Sequence, residues 1–346
     1  MGDDVRLWIG GYPEGEAAGT GEGIWRSTLD TVTGTLSEPV FAVATPAPTF
    51  LALHPDGHTI YAVAEVPDGT VSAFAVDELA PRGTRSTLGA HPCHVVATRD
   101  ALRVANYTSG TFTTIALGAD GAVTGDPVAH AWRGTGPDAE RQDGSHAHFS
   151  GAVGDEVWVA DLGTDELRRY RADGSGVVAT GVGAVLPAGS GPRHFVTLDD
   201  AVLVATELDS GVSVLVPGTA GEPVRLLARH DASVTPARGG GRNYPSHIAL
   251  DATGTRLHVA VRGADVLATF AVEQAPDGPV LTHLADTATG GRWPRHFAVI
   301  GDLVVVADQY SSDLAVLRMD RDSGQGELVG RHPHPAPACV LPALVP

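Results

Sequence analysis

The chain has 346 residues, 43 of them glycine and 24 proline, with 41 acidic side chains against 23 basic ones and a formal net charge of −18. That balance argues against nucleic acid and anionic membrane surfaces as partners, since both need a cationic face. It leaves room for a small anionic substrate, because a local cluster of cations sets the field inside a cleft. Only two cysteines occur, Cys93 and Cys339, no apolar run is long enough to span a bilayer, and no basic-then-apolar leader opens the sequence. The expectation is a cytoplasmic protein without a disulfide framework.

Taken in chain order, Leu7-Trp8-Ile9-Gly10-Gly11-Tyr12 reads as a strand with its turn and Gly23 to Leu29 as the next strand, with no first strand before them. Then one unit recurs six times. A short apolar strand opens at Phe50, His94, His148, His194, His247 and His296. In five copies a proline lies two residues earlier (Pro48, Pro92, Pro192, Pro245, Pro294), whereas the His148 copy reads His146-Ala147-His148. A second strand follows and ends in a polar residue: Glu65, Asn106, Asp161, Glu207, Arg262 or Gln309. A turn rich in Gly, Ser and Asp leads to a third strand, and in the clearest copy a weaker fourth lies near Val128. At the far end, Pro337-Ala338-Cys339-Val340 echoes Pro92-Cys93-His94-Val95 and supplies the first strand that the N-terminus lacks.

A period of roughly 44 to 54 residues built from short strands is the pattern of propeller blades. The predicted fold is therefore all-β: one domain over residues 1–346, a seven-bladed β-propeller with four antiparallel strands per blade. The C-terminal strand joins the N-terminal blade, closes the ring and removes its exposed edges.

Antiparallel pairing puts the head of each first strand and the end of each second strand on one face of the disc. The candidate site residues meet there. His94, His146, His148, His194, His247 and His296 can carry protons or pack between blades. Arg193, Arg262 and Arg295 can clamp a carboxylate or phosphate, with Arg262 the leading candidate, or form inter-blade ion pairs. Glu65, Asp161 and Glu207 are the acids; Glu207 is the preferred general base, and a structural ion pair is its alternative. Asn106, Tyr107 and Gln309 join them as binding groups. The insertions 131–145 and 230–244 enter first strands and overhang the same face. Cys93 reads as a small buried thiol. No HExxH, EF-hand loop, GxSxG or P-loop pattern occurs, so no metal is expected, with a divalent cation held by several ring histidines plus Glu or Asp as the alternative.

Trp8-Ile9-Gly10-Gly11-Tyr12, Leu51-Ala52-Leu53-His54-Pro55-Asp56-Gly57, Val104-Ala105-Asn106-Tyr107-Thr108-Ser109-Gly110, His146-Ala147-His148, Ala160-Asp161-Leu162-Gly163-Thr164-Asp165 and Gly191-Pro192-Arg193-His194 together resemble the seven-bladed propeller lactonases. That family contains the propeller-type 6-phosphogluconolactonases and the fungal 3-carboxy-cis,cis-muconate cyclases. The resemblance runs end to end and implies a cofactor-independent site of one His, two Arg and one Glu. By motif these match His148, Arg193, Arg262 and Glu207. Three functions follow as expectations: hydrolysis of a small anionic sugar lactone, the lactone-forming cyclisation of a muconate-type diacid, or non-catalytic binding on the same face.

Overall fold

The computed structural model describes residues 4–13, 22–218 and 224–343, and none of these is helical. Their strands form seven four-stranded antiparallel sheets, one per blade, set around a central axis. Blade 1 is assembled from both ends of the chain: Pro337–Ala343 is its inner strand, followed outward by Asp4–Gly11, Gly23–Asp30 and Val40–Ala44. Trp8 faces Leu341 and Ile9 faces Val340 across the closure. Gly10 is needed at this seam, because a Cβ there would lie 1.9 Å from the Pro48 carbonyl oxygen of blade 2.

Inner strands of the other blades are Leu51–Leu53, Pro92–Ala97, Ala147–Val153, Pro192–Leu198, Tyr244–Leu250 and Pro294–Ile300. Second strands such as Thr59–Ala64, Ala201–Thr206 and Leu303–Asp308 are buried at every residue, because each blade is covered on both faces by its neighbours. Their near-continuous Val, Ala, Leu and Ile content follows from that double cover. Apolar clusters lie between blades: Leu203, Val214, Val259, Val261 and Phe270 join blades 5 and 6, while Leu7, Ile9, Val305, Val316 and Val340 join blades 7 and 1.

One detail of the inner strands positions the site. In six blades the pairing with the second strand slips by one residue near the strand head. Pro92 pairs with Asn106 and His94 with Ala105, so Cys93 is the extra residue. By the same slip His148, Arg193, Arg295 and Ala338 are extra in blades 4, 5, 7 and 1. A β-bulge of this kind re-aims the side chain it carries.

Candidate active site

The bulges aim Cys93, His148, Arg193 and Arg295 into a cavity of about 230 Å³ on the face where the first strands begin. The residues following the second strands supply the other walls. Tyr12, Glu65, Tyr107, Leu162, Glu207 and Gln309 occupy one repeated position, each donating its backbone N–H across the blade to Ala336, Ala47, His91, His146, Gly191 and Trp293 respectively. Arg262, paired with Tyr244, holds that position in blade 6. Glu65, Tyr107, Glu207 and Arg262 of this set line the cavity, and Arg141 reaches in from the 131–145 insertion.

The structure thus brings His148, Arg193, Glu207, Arg262, Arg295, Tyr107 and Glu65 together, and it corrects the repeat alignment in two places. His148 is not the counterpart of His94 and His194. Ala147 stands where other blades have proline, so Phe149 takes the ring position and His148 takes the bulge position of Arg193. Asn106 and Asp161 are likewise one residue short of the cavity position, and a slip of one residue on a strand turns a side chain to the other face. Asn106 Nδ2 instead donates to the Thr111 and Thr113 hydroxyls at 3.0 and 3.1 Å. Asp161 accepts from Arg168 Nε at 2.8 Å, the Ser145 hydroxyl at 2.5 Å and the His146 N–H at 2.8 Å. His146 sits at the rim, stacked on Tyr107 with ring centroids 4.6 Å apart and Nε2 2.9 Å from Asp143 Oδ1. Gln309 is buried outside the cavity lining.

The remaining ring histidines form a plug beneath the cavity. Phe50, His94, Phe149, His194, His247 and His296 follow one another around the axis with centroid separations of 4.5, 4.2, 4.8, 5.2 and 4.0 Å, and His296 returns to Phe50 at 5.4 Å. His194 Nδ1 and His247 Nδ1 are 2.9 Å apart, so one must donate to the other's lone pair. Burial holds His94 and His296 down to about 3, and His194 and His247 well below the usual imidazole range. These rings are neutral packing elements. Among the described residues no group of three or more His, Cys, Asp or Glu side chains is arranged to hold a metal ion.

Four guanidiniums and two carboxylates face the cavity, so it is locally cationic in a chain of net charge −18. Glu207 is the hub. Arg262 Nη2 donates to its Oε2 at 2.6 Å and Arg141 Nη2 to its Oε1 at 2.7 Å, while Arg193 Nε lies 3.0 Å from Oε2. Burial alone would raise this carboxyl, but Arg262, Arg141 and Arg193 outweigh it and hold Glu207 well below the usual range. Both carboxylate oxygens already accept from guanidiniums, which leaves Glu207 poorly placed to take a proton from water. Arg262 gives Nε and Nη2 to Glu207 and the carbonyls of Tyr244 and Pro245, which leaves only its Nη1 without a partner among the described residues. Arg295 fits the role of anion receptor better. Its guanidinium lies 4.8 Å from the Tyr12 ring centroid and has no hydrogen bond or ion pair among the described residues.

His148 is buried, and burial together with the neighbouring Arg193 charge keeps its imidazole well below the usual range, hence neutral at pH 7. Its Nδ1 is 3.7 Å from Cys93 Sγ, while Nε2 has no hydrogen-bond partner among the described residues. Burial pushes the Cys93 thiol up, so it is no thiolate nucleophile. Arg193 gives Nη1 to the Ser246 carbonyl and leaves Nη2 without a partner among the described residues. A narrow recess at the cavity floor joins Arg193, Arg295, Glu65 and Thr49 to His194 and His296 of the plug.

Arg141 and Tyr12 are the site residues that sequence reading missed. The overhanging 131–145 insertion was a signal for the first. The second needed only the equivalence of Tyr12 with Tyr107, and it binds Glu65 Oε2 at 3.0 Å. A larger cleft of about 410 Å³ opens on the opposite face between blades 6 and 7, where Asp251, Asp302 and Asp320 outnumber Arg256 and Arg321, so it lacks the cationic excess of the site cavity.

Fold and site together define a propeller built around a polar, cationic pocket. A family model described as "Lactonase, 7-bladed beta-propeller" matches residues 6–342, and the chain belongs to that family. Among its relatives, a 6-phosphogluconolactonase of Bacillus subtilis is 29% identical over 348 residues, covering 96% of this chain and 97% of the relative. A Lactobacillus plantarum protein of known structure superposes with a TM-score of 0.88 at 30% identity, covering 98% and 99% of the two chains. The Pseudomonas aeruginosa periplasmic gluconolactonase does so with a TM-score of 0.88 at 27% identity, covering 99% and 100%.

Proposed function

We propose that this protein hydrolyses a sugar lactone, with 6-phosphogluconolactone the foremost candidate. The observation that carries the reading is a neutral histidine and a guanidinium edge, His148 Nε2 and Arg193 Nη2, both without partners among the described residues, in a cationic pocket of an acidic chain. His148 Nε2 takes a proton from water as the water oxygen attacks the lactone carbonyl carbon. Arg193 Nη2 and Arg295, at the cavity floor, stabilise the developing oxyanion. The intermediate collapses by breaking the bond between the acyl carbon and the ring oxygen, and the His148 imidazolium returns its proton to that oxygen. The product acid then ionises against the same two guanidiniums. Glu207 keeps Arg193 and Arg262 in place and offsets part of their charge. The reading locates the protein in the cytoplasm, since a phosphorylated sugar does not cross a bilayer unaided.

Proton release from purified protein and 6-phosphogluconolactone should outrun the spontaneous reaction. The His148→Gln change should slow it by about 10²- to 10⁴-fold, the usual worth of a general base. A wild-type rate no faster than buffer ends the proposal. Two guanidiniums with spare donors would also suit a diacid, so muconates belong in the same panel, followed by absorbance. Turnover of muconates without lactone hydrolysis would favour the cyclising direction instead.

A further inference from the structure

We infer that Arg141 selects lactones carrying an anionic substituent, a phosphate monoester foremost, at the end remote from the reacting carbonyl. This rests on the lactonase reading and deepens it. Of the three guanidiniums on Glu207, Arg193 and Arg262 are 3% and 6% exposed, whereas Arg141 is 36% exposed and forms the outer wall. Arg193 and Arg262 already neutralise Glu207, so Arg141 adds surplus positive charge. Its Nε and Nη2 face the Tyr107 hydroxyl at 3.3 and 3.1 Å, and Nη1 has no partner among the described residues. Arg193 and Arg295 border the floor recess, but Arg141 does not. A ligand with its carbonyl on the floor therefore presents its far end to Arg141.

The outer guanidinium is held in place by its neighbour. Gln142 is fully buried; its Nε2 donates to the Leu162 carbonyl at 2.9 Å and to Asp165 Oδ1 at 2.8 Å, and its N–H closes a turn on Asp138 O at 2.7 Å. Asp165 also accepts from the N–H groups of Gly189 and Gly191 at 2.7 Å each, four and two residues before Arg193. One carboxylate thus ties the loop of Arg141 to the strand of Arg193 and fixes the span between outer and inner cations. A pre-set span favours ligands whose two anionic ends match it, because little ordering remains to be done on binding.

The test compares kcat/KM for 6-phosphoglucono-δ-lactone with that for glucono-δ-lactone in wild type, Arg141→Ala, Arg141→Lys and Gln142→Ala, after a thermal melt shows that each variant folds. Arg141→Ala should lower the phosphorylated-to-plain ratio roughly tenfold or more, the worth of a charge-assisted hydrogen bond. Arg141→Lys should restore part of it, and Gln142→Ala should lower it while the charge remains. Equal losses on both lactones, or none, overturn the assignment. If wild type hydrolyses neither lactone, the lactonase reading fails by itself. Calorimetry then decides for Arg141 with 6-phosphogluconate and gluconate: weaker binding of the phosphate ligand alone upholds it, and unchanged affinity refutes it.

Discussion

Glu207 is 2% exposed and meets three guanidiniums within 3.0 Å, so its charge is structural before it is anything else. Replacing it with Gln leaves Arg193 and Arg262 buried beside each other without a counter-charge. Breaking a buried pair in this way costs about 3–5 kcal/mol. Glu207→Gln should therefore lower both stability in urea and activity; full stability with activity lost would instead mark Glu207 as the proton carrier. Asp308 is the opposite case. It occupies the position of Asn106 and Asp161, but where Asp161 has Arg168, Asp308 has only the Thr289 hydroxyl among the described residues, which leave its Oδ2 unpaired. Burial pushes its carboxyl up to about 8, with Asp313 and Asp265 adding to the effect. The native state then keeps a proton that the unfolded chain loses near pH 4, so this carboxyl's contribution to stability is full below about 4 and declines as pH rises toward 8. Asp308→Asn, the solution blade 3 uses, should be more stable than wild type at pH 8 and flatten that slope. An unchanged slope in urea titrations at pH 6 and 8 would refute this.

At the scale of elements, the repeat was readable because each blade needs the same things. It needs an apolar inner strand, a buried second strand and a polar turn, and those demands recur at a fixed spacing. The bulge was not readable. Aligning His148 with His94 matches histidine to histidine, whereas backbone pairing aligns Phe149 with His94 and His148 with Arg193. One extra residue per strand leaves no mark in composition, yet it decides which side chains face substrate. The closing strand gives an element-scale prediction. Removing residues 337–346 strips Asp4–Gly11 of the partner that faces Trp8 and Ile9, leaving an open sheet edge. The truncated chain should aggregate or lose its cooperative melt. A monomer that still melts sharply, by gel filtration and circular dichroism, would argue that closure contributes little.

For the whole molecule, the axis is sealed by a plug in which four histidines stay neutral. Their imidazoles lie below the unfolded value of about 6.5, so the unfolded chain takes up protons that the fold excludes. The plug's contribution to stability is full above that pH and falls as pH drops below it, by up to about 1.4 kcal/mol per pH unit for each ring, with the single Asp308 carboxyl opposing it in the same window. Glu207 does not enter this window, because its carboxyl stays ionised to lower pH. Urea midpoints between pH 7 and 5 should fall steeply, and His296→Phe, which copies Phe50 and Phe149, should make the fall shallower. An identical fall in the variant would show that the plug is not the acid-sensitive element.

What the sequence determined by itself was periodic: seven blades, ring closure by Pro337 to Leu341, the face carrying Arg193, Glu207 and Arg262, and the family resemblance. Each depends on residue types repeating along the chain. What only tertiary structure decided was pairing between side chains far apart in sequence. It tied Arg262 to Glu207, set Arg295 over Tyr12 with no hydrogen bond or ion pair among the described residues, brought Arg141 in from a loop and turned Asn106 and Asp161 away from the cavity. The physical reason is that charge pairing and pKa depend on distances of a few ångströms between blades, while a strand pattern records only which residues are buried along one chain segment.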